Sequence, residues 1–519
     1  MTSRSNRGWA LNAIGGSLAA LAVALFPGIA STAILATPAT TATPPAVELS
    51  PAPLGMNIPP WNALYANARS GNILQTLLKN AHVAQIRYGG GAYADEYDWQ
   101  TNTDIENCPS TAMSEYKAKC ATFNALDLAA LAKDARAIGA QNLVTVNYGS
   151  GTPAEAAAEV KQAAAAPGQQ PALWEIGNEG YGCWEANDYL AQAPEHYQGF
   201  KPTSGATCPM VTKGVPAGME IMAKSYAANA ATFMAAMRAA NPQAALGVPW
   251  AFDVTVGGGS VAGNTEWNNT VLTQDKKYVG FVDAHWYPLG YSGTTGAPGN
   301  PTAEQVIQTV YQIPAEYAKI KTALQARGLP SAKIVIGETN VSYHATDTAC
   351  TAVGALFAAG DALEWLSQGA SSVDWWTMNS YSNTGTTCAH PDEGMFTSNS
   401  KPVPESPYAG YLLTGALAQP GAKLTALTLS PSAVSSSVLA FQSVLRSGKS
   451  AVLLINTSTS APQQATFKSS LSGNLTVVRY QASNQNSFAT KTTTSSSTAA
   501  AVAKGVTLPA ESITLLQDS

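Results

Sequence analysis

Short apolar segments alternate with longer stretches of helical periodicity between residues 54 and 420. The short segments are rich in β-branched and aromatic residues, which predicts eight strands, over 54–58, 83–88, 142–147, 172–179, 245–250, 278–287, 333–338 and 372–378. Helices are predicted over 73–80, 125–138, 154–165, 219–240, 303–327, 350–368 and 408–418, and none is evident between the fifth and sixth strands. This alternation predicts an α/β chain with a (β/α)₈ TIM barrel over 54–420. A doubly wound sheet is the alternative, but no glycine-rich phosphate-binding fingerprint follows an early strand.

The pattern changes after residue 420. Serine and threonine become dense, helical periodicity disappears, and short apolar runs recur at 438–441, 451–455, 475–478 and 513–516. Turn residues separate these runs, as is typical of antiparallel sheets. We therefore predict a C-terminal β-sandwich domain over 421–519.

The N-terminus has the pattern of an export signal. Arg4 and Arg7 precede an apolar run over 9–26, and small residues follow up to Ala33. This predicts a signal peptide over 1–33 and a secreted or periplasmic protein that has no membrane contact after cleavage. The alternative is an uncleaved anchor, because the run approaches the length that spans a bilayer. Residues 34–53, rich in Thr, Pro and Ala, are predicted to be a linker.

Six cysteines follow the predicted signal, at positions 108, 120, 183, 208, 350 and 388. An even number of cysteines in an exported chain indicates disulfide bonds, of which nearest-neighbour pairs are one possible arrangement and free thiols the alternative. The cysteines lack zinc-type spacing, and the five histidines are scattered without an HxH or HExxH pattern. We therefore expect neither a metal nor a cofactor.

Charge narrows the choice of partner. Only 12% of the residues are charged, the net charge is −5, and Lys plus Arg total 28. Such a surface attracts nucleic acids and sulfated polyanions weakly. A neutral or lightly charged partner is expected, and the sequence makes no prediction of oligomeric state.

Two carboxylates end predicted barrel strands, Glu179 the fourth and Glu338 the seventh. Active sites of these barrels lie at the C-terminal ends of the strands. Glu338 is in phase with Ile336 and Ile334, which predicts that it points inward or toward the top of the barrel. Two carboxylates roughly 5–5.5 Å apart at one mouth are what retaining glycoside cleavage needs. Structural ion pairing is the alternative.

The two segments resemble known enzymes. Residues 174–179, Trp-Glu-Ile-Gly-Asn-Glu, and 336–339, Ile-Gly-Glu-Thr, are similar to the acid/base and nucleophile strands of clan A retaining glycoside hydrolases. The resemblance implies a glycoside, oligosaccharide or polysaccharide substrate. It assigns Glu179 as general acid/base, Glu338 as nucleophile, and Asn178 as a contact of the sugar 2-hydroxyl.

Further positions match the same clan. His285 and Tyr287 match a His-x-Tyr pair on strand six that lies near the nucleophile. Trp376 or Trp375 matches an aromatic floor of the sugar site on strand eight, and only one of two adjacent residues can face the barrel mouth.

Arg87 matches the strand-two arginine that braces the nucleophile in this clan. A charge-assisted hydrogen bond from Arg87 would hold Glu338 ionised. A purely structural salt bridge is the alternative. Asn147, which ends the third predicted strand, is one more candidate for substrate binding.

Two families within the clan are resembled. Residues 87–99 are similar to the strand-two loop of α-L-arabinofuranosidases, with Gly89 in place of the usual proline. Residues 338–343 are similar to the nucleophile loop of β-glucuronidases and heparanases, with Tyr343 as a binding candidate. In that family glycines that help to seat a uronate follow the tyrosine, and here His344 and Ala345 do. We therefore favour an arabinofuranosidase-like specificity over a β-glucuronidase-like one.

The competing function is a non-catalytic carbohydrate-binding surface protein on a barrel scaffold. Retention of both Glu179 and Glu338, together with Asn178 and Arg87, favours the enzyme.

Overall fold

The structure is a computed structural model. It describes residues 45–519 except 60–67, 96, 105–126, 150, 166–170, 183–208, 210–212, 214, 253, 257–258, 262–263, 290–301, 343–350, 380–392 and 483–489. Residues 43–519 form one compact unit. The predicted signal peptide and all six cysteines lie outside the described residues. Among the helices described, none combines the length and apolarity needed to cross a bilayer.

The described strands are β1 (Val47–Glu48), β2 (Leu54–Asn57), β3 (Gln85–Tyr88), β4 (Tyr97–Asp98), β5 (Thr103–Asp104), β6 (Gln141–Val146), β7 (Leu173–Ile176), β8 (Leu246–Trp250), β9 (Val254–Val256), β10 (Gly259–Val261), β11 (Val279–Trp286), β12 (Lys333–Thr339), β13 (Ser372–Trp375), β14 (Lys423–Ala426), β15 (Leu429–Ser430), β16 (Val438–Val444), β17 (Ser450–Asn456), β18 (Gln463–Phe467), β19 (Asn474–Ala482), β20 (Thr490–Thr498), β21 (Val506–Leu508) and β22 (Ser512–Asp518).

The described α-helices are α1 (Ala68–Asn80), α2 (Leu128–Ile138), α3 (Pro153–Ala165), α4 (Val215–Ala240), α5 (Asn264–Gln274), α6 (Ala303–Val310), α7 (Ile313–Ala326), α8 (Ala352–Gln368), α9 (Ser406–Gly415) and α10 (Ala499–Val502). Short 3₁₀ helices span Gly91–Asp95 and Ser432–Ser436.

Eight of the strands close into a barrel in the order β11-β12-β13-β2-β3-β6-β7-β8, and the ladders between them are parallel. Each corresponds to a predicted strand, which confirms the TIM barrel. Strand β7 ends at Ile176, three residues before the predicted end, so Glu179 lies beyond the strand.

Two helices differ from the predictions. The predicted helix over 303–327 is broken into α6 and α7, with Pro314 in the first turn of α7. A proline is tolerated in the first turn but not inside a helix, so a new helix begins there. Helix α5 lies between the fifth and sixth barrel strands, where none was evident. Its asparagines and threonines are weak helix formers, and packing of the fully buried Trp267 stabilises it instead.

The lower part of the barrel interior is apolar. Leu143, Leu173, Phe281 and Val335, from four strands, pack together there. Gly247 makes room for this layer, because a Cβ at that position would lie 2.3 Å from the ring of Phe281. The next residues along these strands that face inward are polar and lead up to the mouth.

The C-terminal region contains a seven-stranded antiparallel sheet and a three-stranded sheet, β15-β18-β21. The predicted boundary at residues 420 and 421 falls between α9 and β14. On β17, Val452 and Leu454 face the core between the two sheets, whereas Leu453 and Ile455 pack into the large core that includes the barrel helices. The residues of one strand thus serve both cores by alternation.

One edge strand of the seven-stranded sheet precedes the barrel in the chain. Strand β1 pairs antiparallel with β14, through Val47 with Leu424 and Glu48 with Lys423. The last part of the predicted linker over 34–53 is therefore built into the sheet, which differs from the prediction.

Candidate active site

A tight turn after β7 places Glu179 at the mouth of the barrel. Gly177 has φ +71°, and a Cβ there would lie 2.8 Å from the side chain of Tyr148. The Asn178 N–H donates to Asp95 Oδ2 at 2.8 Å. Glu179 itself has φ +37°, a left-handed conformation that is rare for residues other than glycine and is concentrated at functional sites.

A bulge in β12 aims Glu338 into the barrel. On the neighbouring β11, Ala284 pairs with Ile336 and His285 pairs with Glu338, so Gly337 is the extra residue. The phase predicted for Glu338 is therefore wrong. Ile334 and Ile336 pack in the core shared with the helices, and without the bulge Glu338 would face the same way.

Side chains satisfy the backbone of the bulge. The Gly337 N–H donates to Asp283 Oδ1 at 2.7 Å, and its carbonyl accepts from Asn57 Nδ2 at 2.7 Å. A Cβ at this position would lie 2.2 Å from both carboxylate oxygens of Asp283. Only glycine fits here, because the polar groups that replace the strand ladder occupy the space.

Glu338 is held from two sides. Arg87 Nη1 donates to its Oε1 at 2.7 Å, and the Tyr287 hydroxyl donates to its Oε2 at 2.7 Å. Both donors were predicted from the sequence to lie near this residue. Charge-assisted hydrogen bonds of this kind fix a carboxylate in one orientation.

Glu179 lies beside Glu338 and is bound by its own partners. His285 Nδ1 is 2.8 Å from Glu179 Oε1 and 3.5 Å from Glu338 Oε2. The Tyr181 hydroxyl donates to Glu179 Oε1 at 3.0 Å. A carboxylate oxygen of Glu179, a ring nitrogen of His285 and a carboxylate oxygen of Glu338 all lie within 4.8 Å of one another. The Glu179 side chain is 13% exposed and that of Glu338 is 6% exposed, so a ligand can reach both.

Burial and charge act against each other at this centre. Burial by itself lowers the pKa of His285, but Glu338 and Glu179 outweigh it and raise the value to about 9. The imidazole is therefore a cation at neutral pH. Burial raises the pKa of Glu338, while His285 and Arg87 act to lower it.

Arg87 also binds groups other than the predicted one. Its Nη2 donates to Glu175 Oε2 at 2.8 Å and to Asn178 Oδ1 at 2.9 Å, and its Nε lies 3.3 Å from Asp283 Oδ2. The guanidinium thus connects the turn after β7 with strand β12. Its predicted brace of Glu338 and the alternative structural salt bridge are both present.

The adjacent tryptophans of strand eight face different ways. Trp375 packs against Phe357 of α8 and Tyr411 of α9. The Trp376 ring reaches over Gly91, where a Cβ would lie 3.0 Å away, and its Nε1 donates to Glu393 Oε2 at 3.1 Å. Of the two predicted candidates, Trp376 is the one on the side of the mouth.

Asn147 and Tyr343 are the two other predicted site residues. Asn147 uses its side chain to hold loops, donating to the carbonyl of Tyr97 at 3.2 Å and accepting from the N–H of Gly151 at 3.0 Å. Tyr343 lies outside the described residues.

Sequence reasoning missed the polar residues beneath the mouth: Glu175, Asp283, Asp374 and Asn57, and also Glu393 on the loop after β13. A signal was present for three of them. Each of Glu175, Asp283 and Asp374 is an acid inside an otherwise apolar predicted strand, where a charge is costly unless it has a partner.

Two groups of potential metal ligands among the described residues are spaced closely enough to hold a cation. They are Glu175, Asp283 and His285, and Glu179, His285 and Glu338. Arg87 contacts a carboxylate of each group at 2.7–2.8 Å. A guanidinium this close disfavours a second cation.

No protein-family model matches the sequence, and no curated protein matches it. Solved structures do. The α-L-arabinofuranosidase from Thermotoga maritima in complex with arabinose has a TM-score of 0.60 at 15% identity, over 91% of this chain and 92% of that one. The GH51 α-L-arabinofuranosidase from Thermotoga petrophila has a TM-score of 0.64 at 15% identity, over 92% and 98%.

A GH39 β-xylosidase from Caulobacter crescentus also matches, with a TM-score of 0.54 at 13% identity over 92% and 98% of the two chains. The chain has the fold of the clan A glycoside hydrolases. This confirms the resemblance read from residues 174–179 and 336–339 at the level of fold, since the similarity extends over nearly the whole of both chains.

Proposed function

We propose that the protein is a retaining glycoside hydrolase in which Glu338 is the nucleophile and Glu179 the general acid/base. One observation carries the proposal. Two partly accessible carboxylates lie within 4.8 Å of the same imidazole and of each other at the mouth of the barrel, although they come from different strands. Glu338 accepts hydrogen bonds from Arg87 and Tyr287.

The two carboxylates have the environments that their roles need. Donation from Arg87 and Tyr287 orients Glu338 for attack on the anomeric carbon. Glu179 gives its proton to the leaving oxygen as the glycosidic bond breaks and a glycosyl ester forms on Glu338. Glu179 then takes a proton from water as the water oxygen attacks the anomeric carbon, which breaks the bond between that carbon and Glu338, releases the sugar and restores both groups.

The separation of the carboxylates favours retention of configuration. Retaining enzymes place the two groups roughly 5–5.5 Å apart, whereas inverting enzymes leave roughly 6.5–9.5 Å for a water. The oxygens of Glu179 and Glu338 approach within 4.8 Å, which supports the shorter class.

The charge around the site favours a neutral sugar. Burial first, and then the negative charges of Glu338, Glu393 and Glu179, raise the pKa of the Tyr287 hydroxyl, which reflects the acidic surroundings of the site. A uronate would add a fourth negative charge, and Arg87 is already bound to Glu175 and Glu338. With the arabinofuranosidases among the structural relatives, this supports an arabinofuranosidase-like specificity over a β-glucuronidase-like one.

Export of the protein through the predicted signal peptide over 1–33 belongs to the same proposal. N-terminal sequencing of the protein recovered outside the cytoplasm tests it, with cleavage near Ala33 expected. The same material, mapped by mass spectrometry with and without reduction, tests the disulfide prediction.

The stereochemistry of the product tests the mechanism. A panel of nitrophenyl glycosides, including the arabinofuranoside, glucuronide, xyloside, glucoside and galactofuranoside, first identifies a substrate. Proton NMR of the first-formed product should then show the anomeric configuration of the substrate. An inverted product would contradict the assignment of Glu338 as nucleophile. Sugar binding without turnover of any glycoside would favour the non-catalytic alternative.

A further inference from the structure

A layer of buried acids lies directly beneath the two carboxylates. Glu175 on β7, Asp283 on β11 and Asp374 on β13 point into the barrel and are fully buried. Glycines make room for two of them, because a Cβ at Gly55 would lie 1.8 Å from Asp374 Oδ1 and one at Gly337 would lie 2.2 Å from Asp283. Barrel interiors are usually filled by branched apolar side chains, so this layer calls for a physical reason.

The charges in this layer do not balance if every acid is ionised. Arg87 at its centre faces Glu175, Asp283 and Glu338 within 3.3 Å, and the imidazolium of His285 is a second cation beside these three acids. A buried carboxylate without a compensating charge is costly, and such groups are neutralised by binding a proton. At least one carboxyl group around Arg87 therefore has reason to be neutral.

Glu175 and Asp283 differ in the hydrogen bonds that their carboxyl groups accept. Glu175 Oε2 accepts from Arg87 Nη2, Arg87 Nε and Thr145 Oγ1, as an ionised group does. Asp283 accepts at Oδ1 from the Gly337 N–H, and its Oδ2 has no hydrogen-bond donor within the described residues. Glu175 Oε1 likewise lacks a donor there. A carboxylate oxygen of Glu175, a carboxylate oxygen of Asp283 and a ring nitrogen of His285 all lie within 4.8 Å of one another.

We propose that Asp283 is a positioning residue that carries a proton and shares it with Glu175, while its other oxygen holds the Gly337 N–H and thereby fixes the bulge that aims Glu338. The consequence for catalysis rests on the proposed function. When Asp283 is neutral, Glu175 and Glu338 are the acids that compensate the charge of Arg87. The carboxylic O–H of Asp283 then donates a hydrogen bond to Glu175 Oε1, which otherwise lacks a donor within the described residues.

The surrounding charges agree with this assignment. Burial, and then the negative charge of Glu175, raise the pKa of Asp283 far above its usual range, although Arg87 and His285 oppose them. Asp374, from the strand on the far side of β12, adds to the rise. Glu338, on β12 itself, contributes a further negative charge beside Arg87.

Substitution of each partner by its amide tests which one is ionised. In Asp283→Asn the amide oxygen still accepts from Gly337 and the NH₂ group replaces the shared proton, so kcat/KM should remain within about fivefold of the parent enzyme, with an unmoved pH profile. Asp283→Ala should lower kcat/KM by about 100-fold or more, because Glu338 loses its positioning. Glu175→Gln, the matched amide variant, should cause a similar loss and shift the profile, because Arg87 loses its counter-ion.

The reverse pattern, with Glu175→Gln tolerated and Asp283→Asn damaged, would overturn the assignment of the proton to Asp283. Equal damage by both amides would show that both groups are ionised. Loss of activity in EDTA with recovery on adding Mg²⁺, Ca²⁺, Mn²⁺ or Zn²⁺ would assign the cluster to a cation, and the proposal would fail.

Infrared spectroscopy tests the proton without using activity, so failure of this inference and failure of the proposed function can be told apart. The spectrum of the parent protein minus that of Asp283→Asn, at neutral pH, should contain the C=O stretch of a protonated carboxylic acid that shifts in D₂O. The same band should persist in an inactive Glu179→Ala background. Its absence, or a carboxylate band in its place, would overturn the proposal.

Discussion

At the scale of single residues, the two carboxylates proposed to be catalytic differ in what holds them. Glu338 receives hydrogen bonds from Arg87 and Tyr287, so its charge and orientation are fixed before a substrate arrives. Glu179 contacts His285 and Tyr181 and stands in a strained turn. The predicted consequences of removing each group differ accordingly.

Glu338→Gln keeps the size of the side chain and removes the nucleophile. We expect kcat to fall on the order of 10⁴–10⁶-fold, because no covalent intermediate can form. Steady-state kinetics on the best glycoside of the panel measures this, with circular dichroism to verify folding. Glu316→Gln, at a surface ion pair on α7, is the matched control and should behave as the parent. Near-normal turnover by Glu338→Gln would refute the assignment.

Glu179→Ala removes the proton donor. Substrates with poor leaving groups should lose about 10²–10⁴-fold in kcat/KM, and activated ones should lose less at the glycosylation step. Azide should restore turnover of an activated glycoside, because a small anion attacks the glycosyl ester without a general base. Equal losses for good and poor leaving groups, without rescue, would contradict the acid/base role.

At the scale of elements, the bulge in β12 turns the side chain of Glu338, the proposed nucleophile, into the barrel. Gly337 provides the extra residue, and Asp283 and Asn57 bind its N–H and carbonyl. The strand continues on both sides of the bulge, so the local change in direction does not disturb the barrel ladder beyond it.

Gly337→Ala tests the importance of that bulge. The added Cβ would meet both carboxylate oxygens of Asp283 at 2.2 Å, and the clash should cost about 1–3 kcal/mol of unfolding free energy. Activity should fall by more than stability predicts, because Glu338 moves with the backbone. Denaturant melts and kcat/KM check the two effects. Gly280→Ala on β11, where the nearest atom to an added Cβ would lie at 3.3 Å, is the control for replacing a strand glycine without this clash. Parent-like activity of Gly337→Ala would show that the bulge does not position the nucleophile.

At the scale of the whole molecule, barrel and sheets form one compact unit with a shared core. Leu453 of β17 faces the core that includes the barrel helices, and the next residue, Leu454, faces the core between the two sheets. Both side chains are fully buried. Unfolding of the sheets is therefore expected to be coupled to that of the barrel.

Leu453→Ala and Leu454→Ala are a matched pair on one strand. Each should lower the unfolding free energy by about 2–5 kcal/mol. Both should do so within a single thermal transition, because the two regions unfold together. Calorimetry follows unfolding of the whole chain, and tryptophan fluorescence follows unfolding of the tryptophan-rich barrel. Two separate transitions, with the barrel unaffected by Leu453→Ala, would contradict a shared core.

Buried acids predict how stability depends on pH. Burial raises the pKa of Asp361 to about 8, that of Glu159 to about 8 and that of Asp374 to about 7, whereas unfolded acids titrate near 4. Between these values the native state holds more protons than the unfolded state. The stabilisation is complete below the unfolded pKa and is lost as pH rises through 7 and 8.

The melting temperature should therefore fall as pH rises from about 4 to about 8 and then level off. Asp361→Asn should reduce this fall, because the amide cannot ionise. Scanning calorimetry across the pH series measures both. A melting temperature that stays constant or rises over this range would contradict the raised pKa values.

The strand pattern of the barrel could be predicted from the sequence because buried parallel strands are short apolar runs with turns around them. The eight predicted strands match the eight observed ones to within a few residues at each end. Helix α5 could not be predicted, because its polar residues carry little helical signal. Helix α5 is held by tertiary contacts of Trp267, which packs against Tyr226 and donates to the carbonyl of Pro249.

The sequence by itself determined which carboxylates stand at the mouth. Glu179 and Glu338 follow apolar strands, and barrel topology brings the ends of all such strands to one face. Arg87 and Tyr287 were predicted near Glu338 from the family resemblance.

Only the tertiary structure decided how those carboxylates are aimed and held. The phase of Glu338 depends on a bulge at Gly337, and a one-residue shift reverses the face of every side chain that follows. The buried acids Glu175 and Asp283 have partners far away along the chain, since 88 positions separate Arg87 from Glu175 and 54 separate Asp283 from Gly337. Periodicity reports the local environment of a strand, whereas charge compensation in a barrel interior depends on which strands become neighbours.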